Sequence, residues 1–347
     1  MKISWFYRTT KAVGICAVLV PLAVAAPAPD PPMKAVLDTL ASLGGKPLPT
    51  LSAEEARRQP TPADAVKALL AKQGKSTAPE PVARVEDRTI PGPGSGIPAR
   101  IYWPKGDGPF PLIVYYHGGG WVIADLDVYD ATPRALANAV GAVVVSSHYR
   151  QGPEHKFPAA HDDAWTAYQW AVSNAVGLNA DPARVAVAGE SAGGNLAANV
   201  ALMARDKHMS AVHQLLVYPI AATGMDTPSY RENADAKPLS KPAMAWFFRN
   251  YTRTAADLQD PRLALVKVKN LKGLPPATVV LAEIDPLRSE GEQYAERLRA
   301  AGVDVAVQKY AGVTHEFFGM GAVHPKAKEA LAAAAERLRS AFGSARK

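Results

Sequence analysis

Between residues 185 and 205 a short apolar run, Val185 to Ala188, breaks at Gly189 and gives way to a helix-forming run, Leu196 to Arg205. The joint is Gly189-Glu190-Ser191-Ala192-Gly193. Four apolar residues that stop at a glycine read as a buried strand, and the polar-apolar mixture beyond it reads as a helix. A turn this sharp forces Ser191 into a strained backbone conformation with its hydroxyl lifted above the sheet. A Cβ at Gly189 or Gly193 would collide with the neighbouring strand or helix. A chain built on this joint needs a sheet with a helix packed directly on it.

The remaining pattern supplies that sheet. Strands are expected at Val82 to Ile90, Ile97 to Trp103, Leu112 to Tyr116, Ala142 to Ser147, Leu215 to Tyr218, Thr278 to Ala282 and Val303 to Lys309. Helices are expected at Tyr129 to Val140, Pro158 to Val176 and Pro325 to Phe342. Strands alternating with helices predict an α/β fold, a mainly parallel sheet covered on both faces. Residues 33–75 carry amphipathic helical periodicity, with a helix start at Ser52 followed by Glu54 and Glu55. Almost 60 residues separate the strand ending at Pro219 from the next, too many for a loop, and they hold Trp246, Phe247, Phe248 and Tyr251 at helical spacing. We expect these two regions to form a cap, packing of an N-terminal arm being the alternative for the first.

At 347 residues and 48% hydrophobic, the chain can bury a large core. Lys2, Arg8 and Lys11 precede an apolar stretch from Ala12 to Ala26, with Ala23-Val24-Ala25 as a cleavage site, the layout of an export signal. Fifteen apolar residues interrupted by Pro21 are short for a membrane span, the competing reading. Cleavage would lower the net charge from +7 to +4 and remove Cys16, the single cysteine. A mild charge without basic runs interleaved with aromatics argues against nucleic acid. Loss of Cys16 excludes a cysteine nucleophile and suits an oxidising compartment. The expected location is therefore periplasmic or secreted, with no stable membrane span after signal removal.

Three positions then fit acyl transfer around Ser191. His117-Gly118-Gly119-Gly120 follows a strand directly, and glycines let backbone N–H groups approach an oxygen that becomes negative. Gly118 and Gly119, with Ala192 after the nucleophile, are the expected oxyanion hole; Gly120 is the alternative to either glycine. His117 is expected to pin this loop. Asp285 stands just beyond a strand and can orient a base, or merely cap the next helix, as Pro286 at a first helical position would suggest. His315 follows the last strand and is the expected general base. Glu283 is the spare acid. Glu190, Asp162 and Asp163 read as buried structural acids held by backbone or by an arginine such as Arg150. No histidine-carboxylate cluster has metal spacing, so neither metal nor cofactor is expected.

These motifs, together with Trp121, Tyr149-Arg150, Pro153 to Ala160, Gly194-Asn195 and Asp285-Pro286-Leu287, resemble the bacterial hormone-sensitive-lipase family of α/β-hydrolases, the family IV esterases, from about residue 30 onward. Glu190, His148, Gln151-Gly152 and Ser289 depart from the usual family residues. The resemblance implies an eight-stranded sheet flanked by helices, with a helical cap. It also implies a cofactor-free serine carboxylesterase acting on a small-molecule ester with a short to medium acyl chain. The implied division is a signal peptide at 1–25, N-terminal cap helices at 26–80, a catalytic core at 81–219 and 263–347, and a cap insertion at 220–262. Trp121, Phe317 and Phe318 flank the catalytic loops and are expected to line the substrate pocket, with core packing as the alternative. Cleavage of an amide, lactone or polyester would use the same residues, and a non-catalytic ligand-binding hydrolase fold is the competing class. Oligomeric state stays open, a homodimer included.

Overall fold

The structure, a computed structural model, describes residues 1, 2, 4, 5 and 27–345. Nearly all of the expected export signal, Cys16 included, lies outside the described residues. Within them, no helix is long and apolar enough to cross a membrane.

Eight strands form one sheet: β1 (Arg84–Ile90), β2 (Ile97–Trp103), β3 (Phe110–Tyr116), β4 (Val143–Ser147), β5 (Ala180–Glu190), β6 (His213–Val217), β7 (Ala277–Ile284) and β8 (Val305–Thr314). Their spatial order is β1-β2-β4-β3-β5-β6-β7-β8. β2 pairs antiparallel with β1 on one side and with β4 on the other; from β4 to β8 every pairing is parallel. Parallel strands covered on both faces lose the polar alternation of a solvated sheet. β3, β4 and β6 accordingly run almost wholly buried. The exposed, charged β1 closes one edge.

Two apolar clusters fill the two faces. One holds α5 (Ala159–Ser173), α6 (Ala192–Asp206) and α9 (Arg288–Ala300) against the sheet, and the other holds α4 (Ala131–Val140) and α10 (Pro325–Ser344). The small side chains of α6 let it lie close on the central strands: twelve of its fifteen residues are buried.

The last strand departs from expectation. It runs past Lys309 to Thr314, so His315 follows the strand itself, with no intervening loop. Gly312, beyond the expected end at Lys309, takes φ +69°, but pairing resumes past a register shift, with Ile284 opposite Thr314. The helix after Asp285 begins only at Arg288, leaving Pro286 in the turn before it.

The N-terminal segments are α1 (Pro31–Ser42), α2 (Ala53–Arg57) and α3 (Pro62–Lys72). Ser52 and Glu55 make a reciprocal capping box at the start of α2. Between β6 and β7 lie α7 (Pro228–Glu232) and α8 (Lys241–Tyr251), the latter burying Trp246, Phe247, Phe248 and Tyr251. The two regions meet: the Trp246 indole donates to the Leu51 carbonyl at 2.9 Å. Arg57 fastens the arm to the core through the carbonyls of Val122 (2.8 Å) and Gly152 (2.7 Å) and through Glu154 (2.7 Å). At its other end Asp30 donates its N–H to the Gly312 carbonyl (2.8 Å), and its carboxylate accepts from Lys326 (2.8 Å) and lies 3.0 Å from His324. Thr314 donates to the Met33 sulfur at 3.1 Å. The arm thus braces the end of β8 as well as meeting α8.

Candidate active site

Ser191 sits between β5 and α6 with φ 56° and ψ −117°, a conformation that costs a non-glycine residue on the order of 1–3 kcal/mol. Two glycines make it reachable. A Cβ on Gly189 would lie 2.1 Å from the Gly193 carbonyl oxygen, and one on Gly193 would lie 2.0 Å from that of Tyr116. The elbow is therefore wedged against the end of β3.

The serine hydroxyl is 2.9 Å from His315 Nε2, and His315 Nδ1 is 2.7 Å from Asp285 Oδ2. All three side chains are at least 96% buried. Asp285 does both things considered for it, since its Oδ1 accepts the Leu287 N–H at 2.8 Å while Oδ2 faces the imidazole. The spare acid Glu283 is turned away and accepts the Gly312 N–H at 2.7 Å. Burial alone would push the His315 imidazole down, but the charge and hydrogen bond of Asp285 outweigh it and hold the group above its ordinary 6.5. A serine hydroxyl, an imidazole poised to accept its proton, and a carboxylate behind the imidazole can together generate a nucleophile at neutral pH.

The glycine loop lies alongside. A Cβ on Gly118 would fall 3.2 Å from the Glu190 carbonyl oxygen, which brings this loop against the elbow. Gly119 and Gly120 take φ +94° and +57°. Ala192 opens α6, so its N–H belongs to the first turn, where amides have no intrahelical acceptor. His117 fastens the loop: Nδ1 is 2.8 Å from the Gly118 carbonyl and Nε2 is 2.9 Å from His148 Nδ1. Tyr149 donates to the carbonyls of His117 and Gly118 at 3.0 and 2.9 Å. Burial, and then His148, depress His117 to about 3, so it is neutral and unsuited to be the base.

The three aromatics separate. Trp121 is fully buried under α8, stacked on Tyr251 at 4.9 Å with Phe248 nearby, and the Phe247 ring of the same helix covers Gly120. Phe317 and Phe318 are buried in the apolar cluster on the α10 face, Phe317 packing on Tyr218 and Tyr310. All three thus take the packing role that was their alternative, and none forms an open pocket wall.

The supporting acids divide as well. Asp163 accepts from Arg150 at 2.8 Å, both from its side chain and from its backbone N–H. Glu190 binds neither backbone nor arginine. Its carboxyl accepts from the hydroxyls of Tyr115 (2.7 Å) and Tyr218, and burial, with Glu316 adding, pushes it up to about 7. Glu316 and Tyr129 carry no signal in the sequence. Glu316 Oε1 lies 3.7 Å from His315 Nε2, and the Tyr129 hydroxyl donates to both of its oxygens at 2.7 and 2.8 Å. An acid beside a histidine cannot be told, by sequence alone, from a solvated one. Among the described residues, no group of three or more His, Cys, Asp or Glu could hold a metal.

Residues 113–319 match a protein family described by the alpha/beta hydrolase fold. Carboxylesterase NlhH of Mycobacterium tuberculosis is 42% identical over 281 residues, spanning 78% of this chain and 88% of that protein. Ethyl acetate hydrolase of Pseudomonas putida is 35% identical over 301 residues, 85% and 92% of the respective chains. The solved hyperthermophilic esterase from Pyrobaculum calidifontis superposes with a TM-score of 0.81 at 39% identity, covering 90% of this chain and 98% of its own.

Proposed function

The chain belongs to the bacterial hormone-sensitive-lipase family of α/β-hydrolases and is a carboxylic ester hydrolase, and we propose that it cleaves short- to medium-chain esters through Ser191, His315 and Asp285 by way of an acyl-enzyme. The observation that carries the reading is the unbroken line from the Ser191 hydroxyl through both nitrogens of His315 to Asp285.

Ser191 attacks the ester carbonyl as His315 Nε2 takes its proton. Asp285 fixes the Nδ1–H tautomer and stabilises the imidazolium. The N–H groups of Gly118, Gly119 and Ala192 receive the oxyanion, each worth roughly 3 kcal/mol. The imidazolium returns its proton to the leaving alcohol. A water, deprotonated by the same nitrogen, then releases the acid and regenerates Ser191.

The N-terminal helices and α8 act as a cap. Ser191 is only 4% exposed, and α8 presses Phe247 on Gly120 and Phe248 and Tyr251 on Trp121, which supports small acyl groups over emulsified fat. The basic, apolar and small-residue order of the first 28 residues supports export to the periplasm or beyond.

The test is hydrolysis of p-nitrophenyl esters from acetate to laurate, wild type beside Ser191→Ala. Turnover should peak at short chains and vanish in the variant. Activity that survives in Ser191→Ala overturns the mechanism, and a wild type inactive on esters but active on amides or lactones overturns the substrate class.

A further inference from the structure

His315 has two carboxylates, not one. Asp285 meets Nδ1 at 2.7 Å from the end of β7. On the other side Glu316 Oε1 stands 3.7 Å from Nε2, the nitrogen that also faces Ser191. Around the ring the other groups are Glu190 from β5, which adds to the negative charge, and the Tyr218 ring at 4.4 Å from the end of β6.

The placement of Glu316 is specific and costly. Its φ of +73° lies in the left-handed region, which a residue with a Cβ rarely adopts. That turn brings its carboxyl back beside the imidazole of the preceding residue. Tyr129 then holds it with a hydroxyl that donates to both oxygens, which favours the charged form of a carboxyl that burial pushes upward. Tyr129 is itself lodged against the oxyanion loop: a Cβ on Gly118 would lie 2.2 Å from its hydroxyl oxygen. One line of contact therefore joins the Nε2 side of His315, through Glu316 and Tyr129, to the loop that carries Gly118.

We propose that Glu316 is a positioning residue for His315, a second carboxylate on the ring nitrogen opposite Asp285. It stabilises the imidazolium while Nε2–H turns from Ser191 toward the leaving alcohol. The same carboxylate accepts a hydrogen bond from the water that His315 deprotonates in the second half of the reaction. No bond is made to Glu316 and no net proton passes through it; it acts by charge and by hydrogen bonding. The inference rests on the Ser191–His315–Asp285 reading.

The experiment is the pH profile of kcat/KM for an ethyl ester, whose alcohol needs a proton to leave, beside a p-nitrophenyl ester, whose phenolate does not. Glu316→Gln keeps an oxygen for Tyr129 and removes the charge. It should move the acid limb down by about one pH unit, and lower kcat/KM on the plateau, which reads acylation alone, by up to about tenfold, more for the ethyl ester than for the activated one. Tyr129→Phe weakens the charged form and should move the limb in the same direction by less; the double variant should go no further than Glu316→Gln. An acid limb that stays at the wild-type position in Glu316→Gln overturns the proposal, as does an equal loss on both esters. If Glu316→Gln does not fold, the position of the same limb in Tyr129→Phe decides. Should Ser191→Ala be inactive while the limb stays put, this inference alone fails; should Ser191→Ala stay active, the underlying reading fails first.

Discussion

Replacing Gly193 by alanine should damage both the fold and the chemistry, and the two losses share one cause. Gly193 is in the first turn of α6, where alanine would ordinarily gain up to about 1 kcal/mol of helix propensity. Here its Cβ would lie 2.0 Å from the carbonyl oxygen of Tyr116 and 2.4 Å from that of His117. Atoms this close must separate to at least 3.0 Å, a shift of about 1 Å, and both obstacles are backbone. Tyr116 ends β3, which is held on both sides by β4 and β5, so the strand cannot yield cheaply. Overpacking costs about 1–3 kcal/mol or more, and we expect the top of that range, a net loss of about 2 kcal/mol after the helix gain and a melting point lower by roughly 4 °C. His117 leads directly into Gly118 and Gly119, so the displaced loop should also cost kcat/KM about a hundredfold. Gly141→Ala is the control: φ +69° strains it, but nothing lies within 4 Å, so it should lose about 1 kcal/mol and keep its turnover. Thermal melts and ester hydrolysis on both variants decide. A Gly193→Ala enzyme that melts and turns over like the wild type would refute the wedge between elbow and strand.

Other expectations concern charge. Because Asp285 holds the imidazole of His315 above 6.5, activity should fall on the acid side with a midpoint above that value in the pH profile of kcat/KM; a midpoint well below it would contradict the geometry. Asp285→Asn should retain the fold but lose about four orders of magnitude in kcat, read in a stopped or continuous ester assay. Glu190 is raised from 4.5 to about 7, so the folded state binds its proton more tightly than the unfolded one, and the stability this confers is present below 4.5 and lost as pH rises through 7. Urea titrations should show Glu190→Gln flattening that decline by about 3 kcal/mol. Asp30→Ala removes the cap of α1 and the anchor to Lys326 and His324; it should cost about 1–2 kcal/mol in urea and reduce kcat, because the end of β8 loses its brace.

What could be read from the chain were the features that local chemistry dictates. The elbow glycines, the glycine run behind β3, and an acid just past a strand each follow from what a single turn needs. All eight strands were legible, most of them because a buried parallel strand writes itself as an apolar run. The end of β8 was not, since Gly312 reads as a stop and only pairing with Ile284 shows the strand continuing. The second carboxylate on His315 and its tyrosine are 187 residues apart, and the brace from Asp30 to His324 spans 294. No periodicity records such meetings. Phe317 and Phe318 were ambiguous for a related reason: apolar residues beside a catalytic loop look alike whether they face a substrate or α10.

The mechanism depends above all on Ser191 as the group that takes the acyl chain. A p-nitrophenyl phosphonate ester, a mimic of the tetrahedral state, can be added in small excess and its product located by mass spectrometry of the digested protein. The expected result is one p-nitrophenolate released per chain, complete loss of esterase activity, and the phosphonyl group on the peptide bearing Ser191, with no labelling in Ser191→Ala. Label on another residue, or full activity with Ser191 modified, would contradict it.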